Sequence, residues 1–458
     1  MAAIITLSLL AILVLYLGLY KAQKFLLPVS LIGLATAIGF LVRDWQLQAE
    51  PAYSGMILFD HFAIAFAILC IAVTAVLLLL IKGYFDDLSH HLAEYYSLLL
   101  FSLTGAILVT AYHNFALLFM GIEIMSVALY ILVGIRKKDF ASNEAALKYF
   151  IMGAFSTGFL LFGITLIYGA SGSFDLAAIR DYVALGQLPM MFYGGVLLLI
   201  VGLLFKVGAA PFHFWTADVY EGAPILITAY MSTVVKIASF AALLRLFSYC
   251  FIPVSEFWTP LFLVISGLTL VIGNLSALVQ VSFKRMLAYS SISHAGYLLF
   301  ALVGSQDVAA NSLFMYVTAY AVATVVAFGV LIIVKRTTGS DHFEAFNGLS
   351  KKNPLMSLLL TVAMLSLAGI PLTAGFIGKF MMFSSLMSGT HIALLVVAII
   401  NAAIGICYYL RVVIAMYFKP VENEQVFQVG INYYLVFIIL GVVTLLLGIF
   451  PNSLLQLI

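Results

Sequence analysis

The sequence predicts an all-α integral membrane protein with about fourteen transmembrane helices. Of its 458 residues, 64% are hydrophobic and only 9% are charged, whereas soluble domains are about 45–50% apolar and about 25% charged. In water, a chain of this composition would expose large apolar patches, which a bilayer covers. The apolar runs are long and show no alternation in period two, which argues against a membrane barrel.

Fourteen segments have the length and apolar character of a spanning helix. The first has no basic segment before its apolar run and no clear cleavage site, so we expect it to be a retained helix and not a signal peptide. The predicted helices 1 to 14 cover residues 2–20, 25–42, 60–81, 95–112, 114–135, 145–168, 191–210, 224–248, 260–281, 286–304, 308–334, 355–387, 391–418 and 430–450.

Basic residues in the predicted loops indicate the orientation of the chain. Loops after even-numbered helices contain only Arg43 and Arg180, and the positive loops of a membrane protein face the cytoplasm. We therefore expect cytoplasmic odd-numbered loops and both termini on the periplasmic side. The loops after odd-numbered helices contain Lys21, Lys24, Lys82, Arg136, Lys137, Lys138, Lys284, Arg285, Lys335, Arg336, Lys351, Lys352 and Lys419.

Three lysines lie deep within apolar runs, namely Lys206, Lys236 and Lys379. Each costs about 2.5–3.5 kcal/mol at the bilayer centre, so a functional role is favoured. Structural ion pairing is the alternative, but the interior offers one deep acid, Glu123, for three lysines. A lysine in an apolar site can exchange its proton near neutral pH, and an approaching acid can load it. Protons or small cations are therefore the expected cargo.

Other polar residues in the helices leave two interpretations open. Lys148 follows Glu144 by four residues, which fits a local ion pair or a place in the proton pathway. His294 in helix 10 is either a packed core histidine or a relay group. Arg245 and Arg411 lie near helix ends, where long side chains can reach the interface.

Cofactor, metal and nucleic-acid sites are not expected in this chain. The three cysteines are far apart in apolar runs, and no metal-binding histidine spacing occurs. The longest linking segments, near 169–190 and 335–354, leave no room for a flavin, nucleotide or iron–sulfur domain. The net charge of +2 gives no indication of a nucleic-acid partner.

Glycine and proline interrupt helices 7 and 12 beside their lysines, at Gly208 and Pro211 and at Gly369, Pro371 and Gly375. Proline removes a backbone donor and glycine permits unwinding, so broken helices are expected, with ordinary kinks as the alternative. Broken helices at matching positions of two halves are typical of transporters. We therefore predict inverted five-helix repeats in helices 4–8 (95–248) and 9–13 (260–418), preceded by helices 1–3 (1–94) and followed by helix 14 (430–458).

Three segments of the sequence match a known protein family closely. They are FKVGAAPFHFWTADVYEGAP at 205–224, KRMLAYSSISH at 284–294 and AGIPLTAGFIGKF at 368–380. With them the chain resembles the subunit N family of bacterial respiratory complex I, the proton-translocating NADH:quinone oxidoreductase, over almost its whole length. The DVYEG segment and Lys379 favour subunit N over its sister subunits. Departures from the family pattern occur at Ala217 and after Pro224, where the family commonly has proline and Thr-Pro.

The resemblance implies an antiporter-like fold and a role for each matching residue. Glu123 would pair with Lys206, Lys236 would connect two half-channels, and Lys379 would lie on the exit side, with His294 and Lys148 lining the polar axis. It also implies FMN and iron–sulfur clusters in other subunits, partnership with the other membrane subunits including the sister antiporter-like ones, and a bacterial inner-membrane location. A subunit of a multisubunit sodium/proton antiporter is the alternative.

Overall fold

The computed structural model describes residues 1–456 except 48–49, 82–83, 85–90, 389–390, 422–426 and 428. Lys82 and the last two residues of the predicted helix 14 segment therefore lie outside the described residues. Within them, thirteen helices are long and apolar enough to cross a bilayer. Two shorter apolar helices occupy the position predicted for helix 12, so the fourteen predicted spans are confirmed with one of them broken.

The observed bounds of helices 1 to 7 are Ala2–Leu19, Leu26–Trp45, His61–Leu79, Leu92–Ala111, Phe115–Val133, Phe140–Ser171 and Met190–Val207. Helices 8 to 11 are Ile225–Cys250, Ser255–Leu278, Phe283–Val303 and Ala309–Thr338. Helix 12 consists of the halves Pro354–Ala368 and Ala374–Ser388, and helices 13 and 14 are Ile392–Phe418 and Ile431–Ile449.

Side-chain caps explain where several of these helices begin. Asp60, Asn114, Asp139, Ser282 and Asn353 each accept a hydrogen bond from a backbone N–H of the first turn. Such a cap satisfies one of the amide donors that a helix start leaves free. These short polar residues stand just before apolar runs, so the local sequence explains where these five helices begin.

The packing of helices 4–8 is repeated by helices 9–13. Helix 4 packs on helix 5 and helix 6 on helix 7, while helix 9 packs on helix 10 and helix 11 on both halves of helix 12. Helix 8 returns to helix 4, as helix 13 returns to helix 9. Gly105 lets helix 5 approach helix 4 closely, and Gly273 does the same for helices 9 and 10, because an added Cβ would lie 2.5 Å from Met125 N and 2.6 Å from Ser293 N. This arrangement agrees with two five-helix repeats, whose exact boundaries remain predictions.

Helices 8, 10 and 11 form the centre of the bundle and are buried along nearly their whole length. Helices 1, 2, 13 and 14 lie at the periphery and expose large apolar side chains, such as Leu9, Ile32, Ile399 and Ile439. A lipid environment accounts for these exposed side chains. Lys236 in helix 8 and His294 in helix 10 are therefore shielded from lipid and from bulk water.

Candidate functional site

Helix 7 ends immediately after Lys206. Gly208 adopts a left-handed conformation with φ of +70°, and a Cβ there would lie 2.7 Å from Thr216 Oγ1. The backbone then stays non-helical until the short helix Phe214–Gly222. Trp215 of that helix donates from Nε1 to Phe205 O at 3.0 Å. The predicted interruption is present, and it keeps Lys206 in the last turn of helix 7 with 3% of the residue exposed.

Lys206 faces helix 5, where it meets a hydroxyl group. Its Nζ donates to Ser126 Oγ at 2.8 Å and lies 5.9 Å from the centroid of the Tyr130 ring. The ion pair expected between Lys206 and Glu123 is not formed, although the structure describes both residues: the Glu123 Oε1 is buried without a hydrogen-bond partner. Glu123 is also partly exposed and not fully buried. Lys206 instead donates its hydrogen bond to Ser126, which lies one turn further along the same face of helix 5.

Lys236 is 2% exposed and lies in the middle of helix 8. A π-helical turn over Met231–Val235 directly precedes it. Such turns are frequent at functional sites because the extra residue changes where the following side chains point. The Lys236 Nζ donates to the backbone carbonyl of Ser291 in helix 10.

His294 lies one turn after Ser291 on helix 10 and is held through both ring nitrogens. Nδ1 lies 2.8 Å from the hydroxyl of Tyr316 in helix 11, and Nε2 lies 3.0 Å from the hydroxyl of Tyr409 in helix 13. The Tyr409 hydroxyl also bonds to Ser290 Oγ. A neutral imidazole has one donor and one acceptor nitrogen, so one tyrosine accepts from the ring while the other donates to it. Both ring nitrogens therefore have a partner, an arrangement that a packed core histidine and a relay group share.

The Lys379 side chain binds backbone carbonyls at the break in helix 12. The first half ends at Ala368, Gly369 adopts a φ of +83°, and Pro371 lies in the linking turn. The Lys379 Nζ donates to Leu367 O and Ala368 O, both at 2.9 Å. Carbonyls freed inside a membrane need such a partner. Gly375 closes the turn by donating its N–H to Ser366 Oγ at 3.1 Å, so the predicted interruption is present here too.

Lys148 does not contact Lys206, Lys236, His294 or Lys379, the four buried residues that we call the buried row. Its side chain is 43% exposed, and its Nζ lies 2.8 Å from Glu144 Oε1 and 3.2 Å from Asp218 Oδ2. Arg285 joins the same cluster through Asp218 and Glu221. Of the two interpretations of Lys148, the structure favours the ion pair, because the short helix after helix 7 brings Asp218 to it.

Arg245 differs from its expected interfacial position. Its side chain is buried and its Nη2 lies 2.6 Å from Asp60 Oδ1 at the start of helix 3. The expectation from sequence was wrong because that acid is 185 residues away along the chain. Arg411 remains exposed and donates from Nη1 to Gln280 O at 2.8 Å.

Sequence reasoning missed four residues that contact or resemble the buried row: Ser126, Lys284, Tyr316 and Tyr409. Lys284 was counted as a loop residue, but helix 10 begins at Phe283 and Lys284 is 2% exposed. Its Nζ donates to Glu221 O at 2.7 Å and to Ala223 O at 2.5 Å. The apolar neighbour Phe283 could have indicated that the helix begins before Lys284. Nothing in the sequence distinguishes Tyr316 and Tyr409 from the other tyrosines among the 24 in the chain.

Two cavities lie at opposite ends of helix 8. One of about 560 Å³ is at the end of the odd-numbered loops, lined among others by Arg136, Asp139, Glu221, Lys284 and Lys335. The other, of about 210 Å³, is at the opposite end and includes Asp60, His113, Arg245, Ser248 and Gln306. Burial lowers the pKa of His113. Eleven residues separate Ile225 from Lys236, so the lysine lies about 16 Å from the first cavity along the helix axis.

A metal site is not evident in the described part of the chain, where no three His, Cys, Asp or Glu side chains are grouped to hold an ion. The lysines meet hydroxyl and carbonyl oxygens, and His294 meets tyrosine hydroxyls. Amine, imidazole and hydroxyl groups are able to exchange protons, whereas tightly bound metal ions require several carboxylate, imidazole or thiolate ligands.

Comparison with known proteins agrees with this geometry. The family described as NADH:quinone oxidoreductase/Mrp antiporter, TM, matches residues 111–405. NADH-quinone oxidoreductase subunit N of Flavobacterium psychrophilum is 38% identical over 459 aligned residues, covering 100% of both chains. The chain belongs to the subunit N family. The subunit N of Cytophaga hutchinsonii is likewise 38% identical, with 100% of this chain and 99% of that protein covered.

Solved structures place subunit N among related membrane complexes. A chain of respiratory complex I from Thermus thermophilus is 33% identical with a TM-score of 0.86, covering 99% of this chain and 98% of that one. A chain of the archaeal membrane-bound sulfane sulfur reductase is 26% identical with a TM-score of 0.91, covering 100% and 95%. A chain of the Mrp complex from a Dietzia species has a TM-score of 0.88 at 19% identity, covering 100% and 95%, and shares the fold.

Proposed function

We propose that this chain translocates protons across the bacterial inner membrane as a subunit of the NADH:quinone oxidoreductase. The observation that carries the proposal is the row of Lys206, Lys236, His294 and Lys379, all buried within a bundle of subunit N type. None of the three lysines forms an ion pair within the described residues. Unpaired lysines at this depth are costly, and proton transfer is the function that uses them.

The chemistry of the row follows from its hydrogen-bond partners. Each lysine donates to a neutral oxygen, which accepts from an amine or from an ammonium group alike. His294 can pass a proton by taking it at one ring nitrogen and releasing it at the other, since each nitrogen has a tyrosine hydroxyl. No direct hydrogen bond joins two of these lysines in the described structure, so transfer between them requires bridging water.

The energy source lies outside this chain in our proposal. The subunit has no redox centre of its own, and FMN and iron–sulfur clusters belong to other subunits of the complex. The shortness of the linking segments supports this division. The other membrane subunits, including the sister antiporter-like ones, are the proposed partners. The basic residues of the odd-numbered loops support cytoplasmic odd loops and periplasmic termini.

The experiment compares Lys236→Met with the wild type in the purified complex reconstituted into vesicles. NADH-driven proton uptake should fall more than tenfold, because methionine fills the space but carries no proton. Reduction of a soluble artificial acceptor by NADH should persist, which controls for assembly of the redox subunits. Wild-type proton uptake by Lys236→Met would contradict the proposal. Purification without flavin or iron–sulfur absorbance, together with sodium/proton exchange, would instead indicate an antiporter subunit.

A further inference from the structure

Three polar side chains lie on one face of helix 5, opposite Lys206. They are Glu123, Ser126 and Tyr130, spaced by three and four residues, so they follow one another along a single face of the helix. Lys206 lies at the middle of the three, bonded to Ser126 and 5.9 Å from the Tyr130 ring centroid. The face therefore offers the lysine a carboxylate, a hydroxyl and an aromatic ring in succession.

The Ser126 hydroxyl can only accept from Lys206. Its own proton is donated to Ile122 O at 2.5 Å, which leaves its lone pairs for the lysine Nζ at 2.8 Å. Both an amine and an ammonium group can donate in this geometry. A hydroxyl does not balance a positive charge as a carboxylate does, so Ser126 holds the lysine without favouring its charged form to the same degree.

The neighbouring groups on the face are left without partners. Glu123 Oε1 and the Tyr130 hydroxyl are both buried and have no hydrogen-bond partner among the described residues. An unpaired buried carboxylate oxygen is costly, so this arrangement favours a second one in which Lys206 reaches Glu123. Three residues along a helix correspond to about 4.5 Å, a distance that a lysine side chain covers by changing rotamers.

We propose that Ser126 is a positioning residue that holds Lys206 in its proton-releasing state, one helical turn away from Glu123. In the loaded state the ammonium group pairs with the Glu123 carboxylate. On moving to Ser126 it loses that charge partner, and the ammonium passes a proton to water, leaving an amine and a hydronium ion. Return to Glu123 follows when the amine takes a proton from a hydronium ion on the uptake side, which leaves an ammonium group and a water molecule. This inference rests on the proposed function and assigns a role to a residue outside the charged row.

The test uses Ser126→Ala and Ser126→Thr in the whole complex reconstituted into vesicles. Ser126→Ala should lower the rate of NADH-driven proton uptake roughly tenfold, because the lysine loses its acceptor in the released state. Ser126→Thr should restore most of the rate, since threonine keeps the hydroxyl at the same position. Ser142→Ala is the matched control: Ser142 is also buried and donates to a backbone carbonyl, Val133 O at 2.5 Å, but contacts no lysine.

A double-mutant cycle separates this role from a structural one. Ser126→Ala and Glu123→Gln act on the same lysine, so their effects on the logarithm of the rate should be non-additive. Additive effects, or a Ser126→Thr variant as impaired as Ser126→Ala, would overturn the inference. Wild-type pumping by Ser126→Ala, with a Lys206→Met variant that does not pump, would reject the inference and leave the proposed function standing. Wild-type pumping by Lys206→Met would reject the proposed function itself.

Discussion

Each buried lysine of this protein is bound by neutral oxygen atoms. Lys206 donates to a serine hydroxyl, Lys236 to the carbonyl of Ser291, and Lys379 to the carbonyls of Leu367 and Ala368. A neutral oxygen keeps its hydrogen bond whether the lysine is charged or not. These contacts are therefore compatible with either protonation state of the lysine, whereas a permanent carboxylate partner would hold it charged.

Replacement of Lys206 by arginine tests whether the group must release its proton. Arginine keeps a charge even when buried, so Lys206→Arg should pump at less than about a tenth of the wild-type rate, nearly as poorly as Lys206→Met. The measurement is NADH-driven proton uptake in vesicles with matched amounts of complex. If Lys206→Arg pumps normally, the residue serves as a fixed charge and does not exchange protons.

The contact between His294 and Tyr409 gives a second prediction at this scale. Tyr409→Phe keeps the ring but removes the hydroxyl at Nε2 and the link to Ser290, so proton uptake should fall several-fold. Tyr417→Phe, on the same helix but exposed, is the control and should behave as the wild type. Equal rates for both variants would exclude the tyrosine from the pathway.

At the scale of the elements, the two interruptions place lysines beside the carboxyl ends of helices. Helix 7 and the first half of helix 12 each end in a left-handed glycine, Gly208 and Gly369. The lysine precedes the break in helix 7 and follows it in helix 12, where its side chain folds back over the end of the preceding half. A helix end carries a partial negative charge on its free carbonyls, which favours an ammonium group at that place.

Gly369→Ala should disturb pumping through this element. At φ of +83° an alanine costs about 1–2 kcal/mol in backbone strain, and its Cβ would lie 2.7 Å from Lys379 Cδ. Gly339→Ala is a matched control: its φ is +75°, but no atom lies within 4 Å of an added Cβ. Both variants should lose similar stability in thermal unfolding, while only Gly369→Ala should lose most of its proton uptake. Equal proton uptake by the two variants would show that the contact between residue 369 and Lys379 does not matter for pumping.

At the scale of the whole molecule, an ion pair between a buried arginine and a partly exposed aspartate joins the N-terminal helices to the first repeat. Arg245 of helix 8 bonds to Asp60, which also caps helix 3 by accepting from Ala63 N at 2.8 Å. Asp60→Asn keeps the cap but leaves the arginine, whose side chain is 7% exposed, without its charge partner. Because Asp60 is itself 34% exposed, we expect a cost of about 1–3 kcal/mol. The variant should therefore lower the melting temperature of the chain and the amount recovered in membranes.

The exposed pair Arg180 and Asp181 provides the comparison. Its side chains are 42% and 72% exposed, so Asp181→Asn should change stability by less than about 1 kcal/mol. Thermal unfolding of both variants in the same detergent measures the difference. If Asp60→Asn is no less stable than Asp181→Asn, the pair of Arg245 and Asp60 does not hold helix 3 against helix 8.

The number of spans, the two interruptions and the burial of Lys206, Lys236 and Lys379 were predictable from the sequence. Bilayer thickness sets the length of a spanning helix, glycine and proline act on the backbone locally, and a lysine in an apolar run is costly wherever the run packs. Helix 10 shows how far local signals reach. Its predicted start was three residues too late, so Lys284 was assigned to a loop and its burial was not predicted.

Only the tertiary structure decided which partner each charged group meets. Lys206 and Ser126 are 80 residues apart, Lys236 and Ser291 are 55 apart, and Arg245 and Asp60 are 185 apart. No local pattern encodes such pairs, because they depend on how helices distant in sequence pack and rotate against one another. The same reason explains why Lys148 lies in an exposed ion cluster and why Glu123 is partly exposed and unpaired.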